Sequence, residues 1–473
     1  MRRMPSVGVT LVAAIAAYGA AFAALSVLRQ RAFATGRFDL GNMVQAVWWT
    51  AHGHPLRMTN LHGQQISRLA AHVDPLLAVF GPLWWIWPSP DLLLVVQALA
   101  IAAAAWPVYR LAVKHLGSPR AGLGFALAYL LYPATGWLTL NEFHPVALAT
   151  PLLLFAFWYL DNDRLLPFAL FAIPAAASKE EIGLVIAGFG IWYALARGRT
   201  GAGLAIAALG FAWSAIAIAV VIPHFHTAGE SDFYGRYSEV GGSAAGIVKT
   251  SFTHPGRIAH AAFSGRDLRY LAQLVLPLAG LSLLAPLVLI AALPELAINL
   301  LSATPTQTSI HFHYTAGLIP PLVIAAVLGA RRLPRWTVPV AMVAVAAALI
   351  GNYRLGPLPG WRDVPGGSTF QATAARVSEH DRIAAHALTL IPKNAVVSAT
   401  NTLGAHLSAR RRILSFPYLQ DATWIAADET QPGYGDRYAP LPTALALAAL
   451  RRDPDWRLVF ERDGVLVFNR APA

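Results

Sequence analysis

The chain has no cysteine among its 473 residues. Disulfides, thiolate metal sites and cysteine nucleophiles are therefore excluded, while the redox compartment stays open. Charge is scarce as well, because Asp, Glu, Lys and Arg make up 13% of the residues and only four of these are lysines. With 56% hydrophobic residues and a mean hydropathy of +0.50, this scarcity excludes a soluble globular protein.

The hydrophobic residues are grouped in runs near 20 residues long, the length that crosses a bilayer as a helix. This pattern predicts an all-α polytopic membrane protein. The apolar run that follows the N-terminus is too long for a signal peptide and lacks a cleavage site, so we interpret it as a retained first helix. About eleven transmembrane helices are predicted, at 7–28, 90–113, 120–138, 145–160, 164–178, 181–197, 201–222, 268–283, 285–302, 314–330 and 336–352.

The basic residues of the short loops predict the orientation, because Lys and Arg there mark the cytoplasmic side. Arg2 and Arg3 place the N-terminus inside, and eleven crossings place the C-terminus outside. The segment 72–87 must then lie along the membrane surface. The other cytoplasmic cations are Arg110, Lys114, Arg120, Arg164, Arg197, Arg199, Arg331, Arg332 and Arg335. They face anionic headgroups and account for the net charge of +12 without a nucleic-acid-binding stripe.

Two domains are predicted. Residues 1–355 form the transmembrane domain, with outer loops at about 29–89 and 223–267, and a Gly/Pro-rich linker follows at 356–360. Residues 370–473 are predicted to form a small extracytoplasmic α/β domain, in which Asp463-Gly464 is a hairpin signal. Its elements are helices at 376–391 and 442–451, a short helix after the first strand, and strands at 395–400, 412–416, 422–428, 456–461 and 464–469.

Ionisable residues cluster at the ends of the predicted spans, and the topology places every cluster on the outer face. Charged groups near hydrocarbon are costly, so such a set indicates a functional site. Its position suggests chemistry on a lipid-borne substrate. The five clusters are Arg37 with Asp39; His72 with Asp74; Glu142 with His144; Lys179 with Glu180 and Glu181; and His311, His313 and Tyr314.

Each cluster has a functional and a structural interpretation. Asp39 is either a general base or a helix N-cap. His72, Asp74, Glu142 and His144 either hold a divalent metal ion such as Mg or Mn, or cap helices that start at the prolines after them.

The remaining candidates concern phosphate. Lys179 either neutralises a phosphate or forms an ion pair between helix ends, with Glu180 or Glu181 holding this lysine or a metal. Arg37, His311, His313 and Tyr314 are candidate phosphate or sugar ligands, and the histidines are otherwise helix caps or interfacial anchors.

The joint motifs resemble a bacterial family of predicted membrane proteins that is grouped with the GT-C superfamily of integral-membrane glycosyltransferases. They are Phe38-Asp39-Leu40-Gly41, His72-x-Asp74-Pro75, Glu142-Phe143-His144-Pro145, Lys179-Glu180-Glu181, Leu293-Pro294-Glu295 and His313-Tyr314. A more distant similarity is to lipid A aminoarabinose transferases and protein O-mannosyltransferases. The resemblance implies that Asp39 is the first-loop catalytic acid, as base or metal ligand, and that Glu142 and His144 occupy the second polar position. Phe-Asp-Leu-Gly replaces the acidic pair of those relatives.

The resemblance also implies a function: transfer of a sugar from a polyprenyl-phosphate donor to an acceptor on the outer face, with inversion at the anomeric carbon. The expected location is the bacterial cytoplasmic membrane, and the expected partners are the donor, an unidentified acceptor and membrane lipids, but no nucleic acid. Two alternatives stay open. One is a transporter or flippase of a lipid-linked or anionic solute, although two matching halves are not evident. The other is a non-catalytic membrane assembly subunit.

Overall fold

The computed structural model describes residues 6–226 and 234–470. Arg2 and Arg3, used for the topology, and residues 227–233 of the second predicted outer loop lie outside them. Most of the described chain is helical. The α-helices are Val7–Arg31, Asn42–Ala51, Phe80–Ile86, Asp91–Ala103, Ala105–Leu116, Pro119–Leu131, Pro133–Leu140, Ala149–Asp161, Leu165–Ala176, Ile182–Arg197, Thr200–Ile216, Ile222–Phe225, Ala244–Thr253, Pro255–Ala262, Gly265–Val275, Pro286–Leu289, Leu293–Leu300, Ile319–Ala330, Thr337–Leu355, Glu379–Thr389, Asn401–His406 and Thr443–Leu450.

The predicted count of eleven spans is not confirmed. In the described part of the chain, four helical segments are long and apolar enough to cross a bilayer, and a pair bent by 49° at Tyr132–Pro133 makes a fifth. Several other predicted spans fall on helices of 10–17 residues, below or at the lower limit for crossing. The four segments are Val7–Arg31, Asp91–Leu116, Thr200–Phe225 and Pro334–Leu355.

The segment 268–302 departs most from the prediction. Two helices were expected there, but the chain forms the short helices Gly265–Val275, Pro286–Leu289 and Leu293–Leu300, separated by 3₁₀ turns. Ala279 and Gly280 both adopt left-handed backbone angles, with φ of 56° and 67°. A left-handed residue ends a right-handed helix, so the apolar run cannot continue as one element.

The segment before the second long helix is short, as predicted for a surface-lying element. A 3₁₀ turn at Pro75–Val79 continues into helix Phe80–Ile86. Twelve helical residues extend about 18 Å, which is well short of the roughly 30 Å hydrocarbon core. Trp85 and Ile86 are strongly exposed. Placement of this helix at the membrane surface stays a prediction.

The C-terminal part forms one five-stranded mixed sheet with helices, and its order of elements confirms the prediction. Strand Val397–Ala399 pairs in parallel with Ile413–Ser415 on one side and Trp424–Asp428 on the other. The antiparallel hairpin Trp456–Arg462 and Val465–Arg470 extends the sheet. Its turn is the predicted Asp463-Gly464, and both residues have positive φ, as a type I′ turn requires. We call residues 379–470 the α/β unit. A separate two-stranded ribbon, Arg57–Thr59 with Gln65–Ser67, lies in the first loop.

Stability of the α/β unit should depend on pH through His380. Its Nε2 lies 2.8 Å from Asp428 Oδ2 and its Nδ1 lies 2.9 Å from Asp463 Oδ2. Burial opposes the charge of His380, but the hydrogen bonds and charges of the two carboxylates outweigh burial and raise the pKa of the imidazole. A raised folded pKa means that the stabilisation is complete below the unfolded pKa of about 6.5 and is lost as the pH rises through the folded value.

We therefore expect the thermal unfolding midpoint to fall between pH 6 and 9, and His380→Gln to reduce that fall. The measurement is thermal unfolding of the purified protein across this range. His386→Gln, an exposed histidine on the same helix, is the matched control and should keep the wild-type dependence. Equal pH dependence in wild type and His380→Gln would contradict the assignment.

Candidate active site

Asp39 lies in a single π-helical turn, Arg37–Gly41, which leads directly into helix Asn42–Ala51. π turns are rare and occur often at functional sites. The Asp39 side chain is 41% exposed, and its Oδ1 lies 3.3 Å from Nε2 of His144. The N-cap position of this turn is occupied by Gly36, and Asp39 lies inside the turn, so Asp39 is not its N-cap. The carboxylate is therefore accessible and lies against an imidazole.

Glu142 anchors the Asp39 segment. Its Oε1 accepts a hydrogen bond from the Gly36 amide at 3.1 Å and its Oε2 accepts one from the Leu40 amide at 2.8 Å. Glu142 itself has a left-handed φ of 49°, an uncommon conformation for a non-glycine residue that surrounding structure must stabilise. Both carboxylate oxygens are thus used on backbone donors. The predicted role of Glu142 as a metal ligand is not what this geometry supports.

Two amide side chains that the sequence analysis did not single out hold the Glu142–His144 loop. Gln97 is fully buried in helix Asp91–Ala103; its Nε2 donates to the Glu142 carbonyl at 2.6 Å and its Oε1 accepts from the His144 amide at 3.1 Å. Asn141 accepts on its carbonyl from His144 Nδ1 at 3.0 Å, and on Oδ1 from the His313 amide at 3.2 Å. The signal that could have identified these residues is a glutamine within an apolar helix, because polar side chains are costly there.

The Asn141 carbonyl determines which nitrogen of His144 carries hydrogen. A carbonyl only accepts, so Nδ1 is the donor, and the neutral ring presents the lone pair of Nε2 to Asp39. The Asp39–His144 contact is then a hydrogen bond only when the pair holds one additional proton. In that state, either His144 is an imidazolium or Asp39 is a carboxylic acid. The pair is arranged to accept a proton.

His313 stacks on His144, with ring centroids 3.8 Å apart. Its ring also lies beside that of Tyr314, with ring centroids 4.3 Å apart. Burial lowers the pKa of His313 well below the usual range, so the ring is neutral at pH 7. Its Nδ1 is buried and has no hydrogen-bond partner among the described residues. An unpartnered buried nitrogen is costly, so a ligand atom is expected there.

Lys179 lies over the ring of Tyr314, with its Nζ 5.7 Å from the ring centroid. The same ammonium is 2.6 Å from Oε1 of Glu181, and both side chains are largely buried. Burial opposes the charge of Lys179, but Glu181 and Glu180 outweigh it and raise the pKa of the ammonium, which therefore stays charged. Arg236, also absent from the sequence-based candidates, donates to the Tyr314 hydroxyl at 3.3 Å. Two cations thus flank one phenol.

The cluster of His72 and Asp74 meets the cluster of Lys179, Glu180 and Glu181 at Glu180. Its Oε1 lies 2.8 Å from His72 Nδ1, and its Oε2 accepts from the Val73 amide at 2.9 Å. Asp74 turns the other way and forms a buried ion pair with Arg68 at 2.9 Å. Asp74 therefore stabilises the loop and does not join Glu142 or His144 as the sequence analysis expected.

Side-chain contacts, together with the chain connection between Lys179 and Glu180, therefore join all five clusters in one path, as expected from the sequence. The path runs Asp39, His144, His313, Tyr314, Lys179, Glu180, His72. The roles of these residues stay predictions.

Two of the candidate phosphate ligands, Arg37 and His311, lie outside the path. The Arg37 guanidinium is 1% exposed and donates to Ser415 Oγ and to the Thr59 and Ile413 carbonyls, so it has no free face for a phosphate. His311 packs against Trp137 and Phe370, and burial lowers its pKa to about 4. The neutral ring of His311 is not a cationic phosphate ligand.

The expected divalent metal ion does not fit the donors that the structure brings together. Within residues 6–226 and 234–470, no group of three or more His, Asp and Glu side chains is arranged to hold a metal. Asp39 and His144 are paired, but Glu142 and Asp74 are engaged elsewhere. No chemical step below therefore depends on a metal.

Fold and cluster together define a polytopic membrane protein with a polar site that is in contact with an α/β unit. The fold is similar to that of ArnT from Cupriavidus metallidurans, solved in the apo state. The TM-score is 0.56 over 98% of each chain, at 13% sequence identity. This likeness extends over nearly the whole of both chains and shows that the protein has an ArnT-like fold.

Residues 29–467 match the family described as "Predicted membrane protein (DUF2079)", and the chain belongs to this family. The resemblance to a family of predicted membrane proteins, drawn from the motifs, is thus confirmed. Comparison with curated proteins gives no significant sequence match.

Proposed function

We propose that the protein is a membrane glycosyltransferase of the GT-C type that moves a sugar from a polyprenyl-phosphate donor to an acceptor on the outer face, with inversion. The observation that carries the proposal is the contact path itself. It has an accessible carboxylate beside a proton-accepting imidazole at one end, and further along it has a buried, charged lysine. The fold similarity to ArnT supports the class.

The proposed reaction is a single displacement. The acceptor hydroxyl oxygen forms a bond to the anomeric carbon while the bond from that carbon to the phosphate oxygen breaks. The hydroxyl proton passes to Asp39, and the bonding electron pair leaves with the polyprenyl phosphate. One displacement inverts the anomeric configuration and needs a base but no carboxylate nucleophile.

His144 can take over the proton that Asp39 accepts from the hydroxyl. After Asp39 has taken the proton, Nε2 of His144 can accept it across the 3.3 Å contact, since Nδ1 already carries hydrogen toward Asn141. The resulting imidazolium pairs with the regenerated carboxylate. Asp39 and His144 thus share one proton between them, which is the state in which their contact is attractive.

The departing phosphate needs positive charge and hydrogen-bond donors, since stabilising developing charge is commonly the largest catalytic contribution. Lys179 supplies a permanent charge. The tautomer of His313 with hydrogen on Nδ1 supplies a donor at the buried nitrogen that has no partner in the described chain. The Tyr314 hydroxyl, which accepts a hydrogen bond from Arg236, is a further donor near them. These groups suit a phosphate between Lys179 and His313.

The test is turnover by the purified protein in lipid nanodiscs with radiolabelled polyprenyl-phosphate pentoses and hexoses. We expect release or transfer of the sugar, with the inverted anomer in the first product, and an unchanged rate after EDTA treatment. A rate lost with EDTA and restored by Mn²⁺ would reinstate the metal. No turnover of any donor, together with movement of the intact lipid across proteoliposomes, would favour the flippase alternative.

A further inference from the structure

The α/β unit is docked directly on the segment that carries Asp39. The docked edge is where the parallel strands end: Asn401 follows strand Val397–Ala399, and Ser415 ends strand Ile413–Ser415. Carboxyl ends of parallel strands commonly form the functional edge of an α/β sheet. Here that edge contacts the π turn Arg37–Gly41.

The backbone amides of Gly36, Phe38 and Leu40, which lie on either side of Asp39, donate hydrogen bonds to two different parts of the protein. Glu142, from the transmembrane part, accepts from Gly36 and Leu40. Asn401, from the α/β unit, accepts on Oδ1 from the Phe38 amide at 3.0 Å. The backbone of Asp39 therefore lies between one amide fixed by the α/β unit and one fixed by the transmembrane part.

Asn401 is itself fixed in place. Its backbone amide donates to Asp436 Oδ1 at 2.8 Å, and Asp436 Oδ2 accepts from the Gly433 amide at 2.7 Å.

The Asp39 segment and the α/β unit also approach each other too closely for any side chain at Gly36 or Gly41. A Cβ on Gly36 would lie 2.5 Å from Asn401 Nδ2, and one on Gly41 would lie 2.6 Å from Ser408 Oγ. Such close packing leaves the Asp39 turn little freedom while the unit is docked.

Arg37 fastens the other side of the same turn. Its guanidinium reaches the Ile413 carbonyl and Ser415 of the sheet and the Thr59 carbonyl of the first loop. Arg37, which was expected to bind phosphate, is instead a buried residue that links the first loop to the α/β unit through hydrogen bonds.

We infer that Asn401 is a positioning residue: through the Phe38 amide, the α/β unit sets where the Asp39 carboxylate lies. What Asp39 does rests on the proposed function, but the positioning of its segment does not. The acceptor oxygen of Asn401 is the group required. Asn401→Ala removes it and Asn401→Asp keeps it.

The experiment compares these two variants with wild type and with Asn394→Ala. Asn394 is an exposed asparagine in the turn at the opposite end of the same strand, and it serves as the matched control. Hydrogen exchange of the full-length protein is measured in peptides spanning 36–42, with kcat and KM for the donor measured alongside.

In Asn401→Ala, exchange at the Phe38 amide should rise about fivefold, the factor that one lost hydrogen bond supplies. Its kcat should fall about tenfold with KM within a factor of about two, because a displaced base affects the chemical step more than donor binding. Asn401→Asp and Asn394→Ala should match wild type in both measurements.

Unchanged exchange in folded Asn401→Ala would overturn the inference. Should Asn401→Ala fail to fold, Asn401→Asp decides alone, and raised exchange or lowered kcat in that variant would overturn it. Raised exchange at 36–42 with no turnover by any form, wild type included, would leave the positioning intact and remove the proposed function.

Discussion

Asp39→Asn should lower the rate of sugar transfer by roughly 10²- to 10⁴-fold, the range for loss of a positioned general base. The asparagine amide occupies the same volume but cannot take the acceptor proton, and the proton-sharing contact with His144 at 3.3 Å disappears. Donor binding should be nearly unchanged, because Asp39 does not face the departing phosphate in the proposed geometry. The measurement is single-turnover chemistry with saturating donor.

Folding should not account for that loss. The Asp39 carboxylate is 41% exposed, and its turn is held through backbone amides by Glu142 and Asn401. Asp363→Asn, an exposed aspartate in the linker region, is the matched control and should retain the wild-type rate and unfolding midpoint. A wild-type rate in Asp39→Asn would remove the base assignment and leave Asp39 as a structural residue of the π turn.

The convergence of the clusters was predictable because of where each lies in the sequence. Polar residues that begin or end neighbouring helices at one side of a bundle meet in space whatever the exact crossing angles. Lys179 between two helices and His313 just before another are therefore brought together by helix ends alone. The α/β unit could be predicted equally well, since turn residues and strands with alternating apolar residues are local signals in the sequence.

The partners of these residues were not predictable, because they are remote in sequence and often backbone atoms. Asn401 meets the amide of Phe38 and Gln97 meets the carbonyl of Glu142, and no local pattern encodes either pair. Arg37 shows the same limit: beside Asp39 in the sequence, it looks like a phosphate ligand, yet its acceptors come from the ribbon and the sheet.

Hydropathy also could not separate a spanning helix from a broken one. An apolar run has the same composition whether it crosses straight or bends, as at Pro133, or breaks, as at Ala279 and Gly280. For this reason the class of protein followed from composition while the number of spans did not.

Lys179 is the residue whose two interpretations can be separated most sharply. Lys179→Met should lower the transfer rate by roughly 10²-fold, as expected when a charge that stabilises the departing phosphate is removed. The same change leaves the largely buried Glu181 carboxylate without its partner at 2.6 Å, at a cost of about 3–5 kcal/mol in the free energy of unfolding. A loss of activity in this single variant is therefore ambiguous.

The double variant Lys179→Met/Glu181→Gln removes the ambiguity. With both charges gone, Glu181 no longer leaves an unpaired buried charge, so the unfolding midpoint should recover most of the way to the wild-type value. Activity should stay lost, because nothing replaces the ammonium beside Tyr314. Thermal unfolding and initial rates measured on the same preparations give both quantities. If activity returns together with stability, Lys179 serves as an ion-pair partner between helix ends, and the phosphate must be neutralised elsewhere, with Arg236 as the next residue to change.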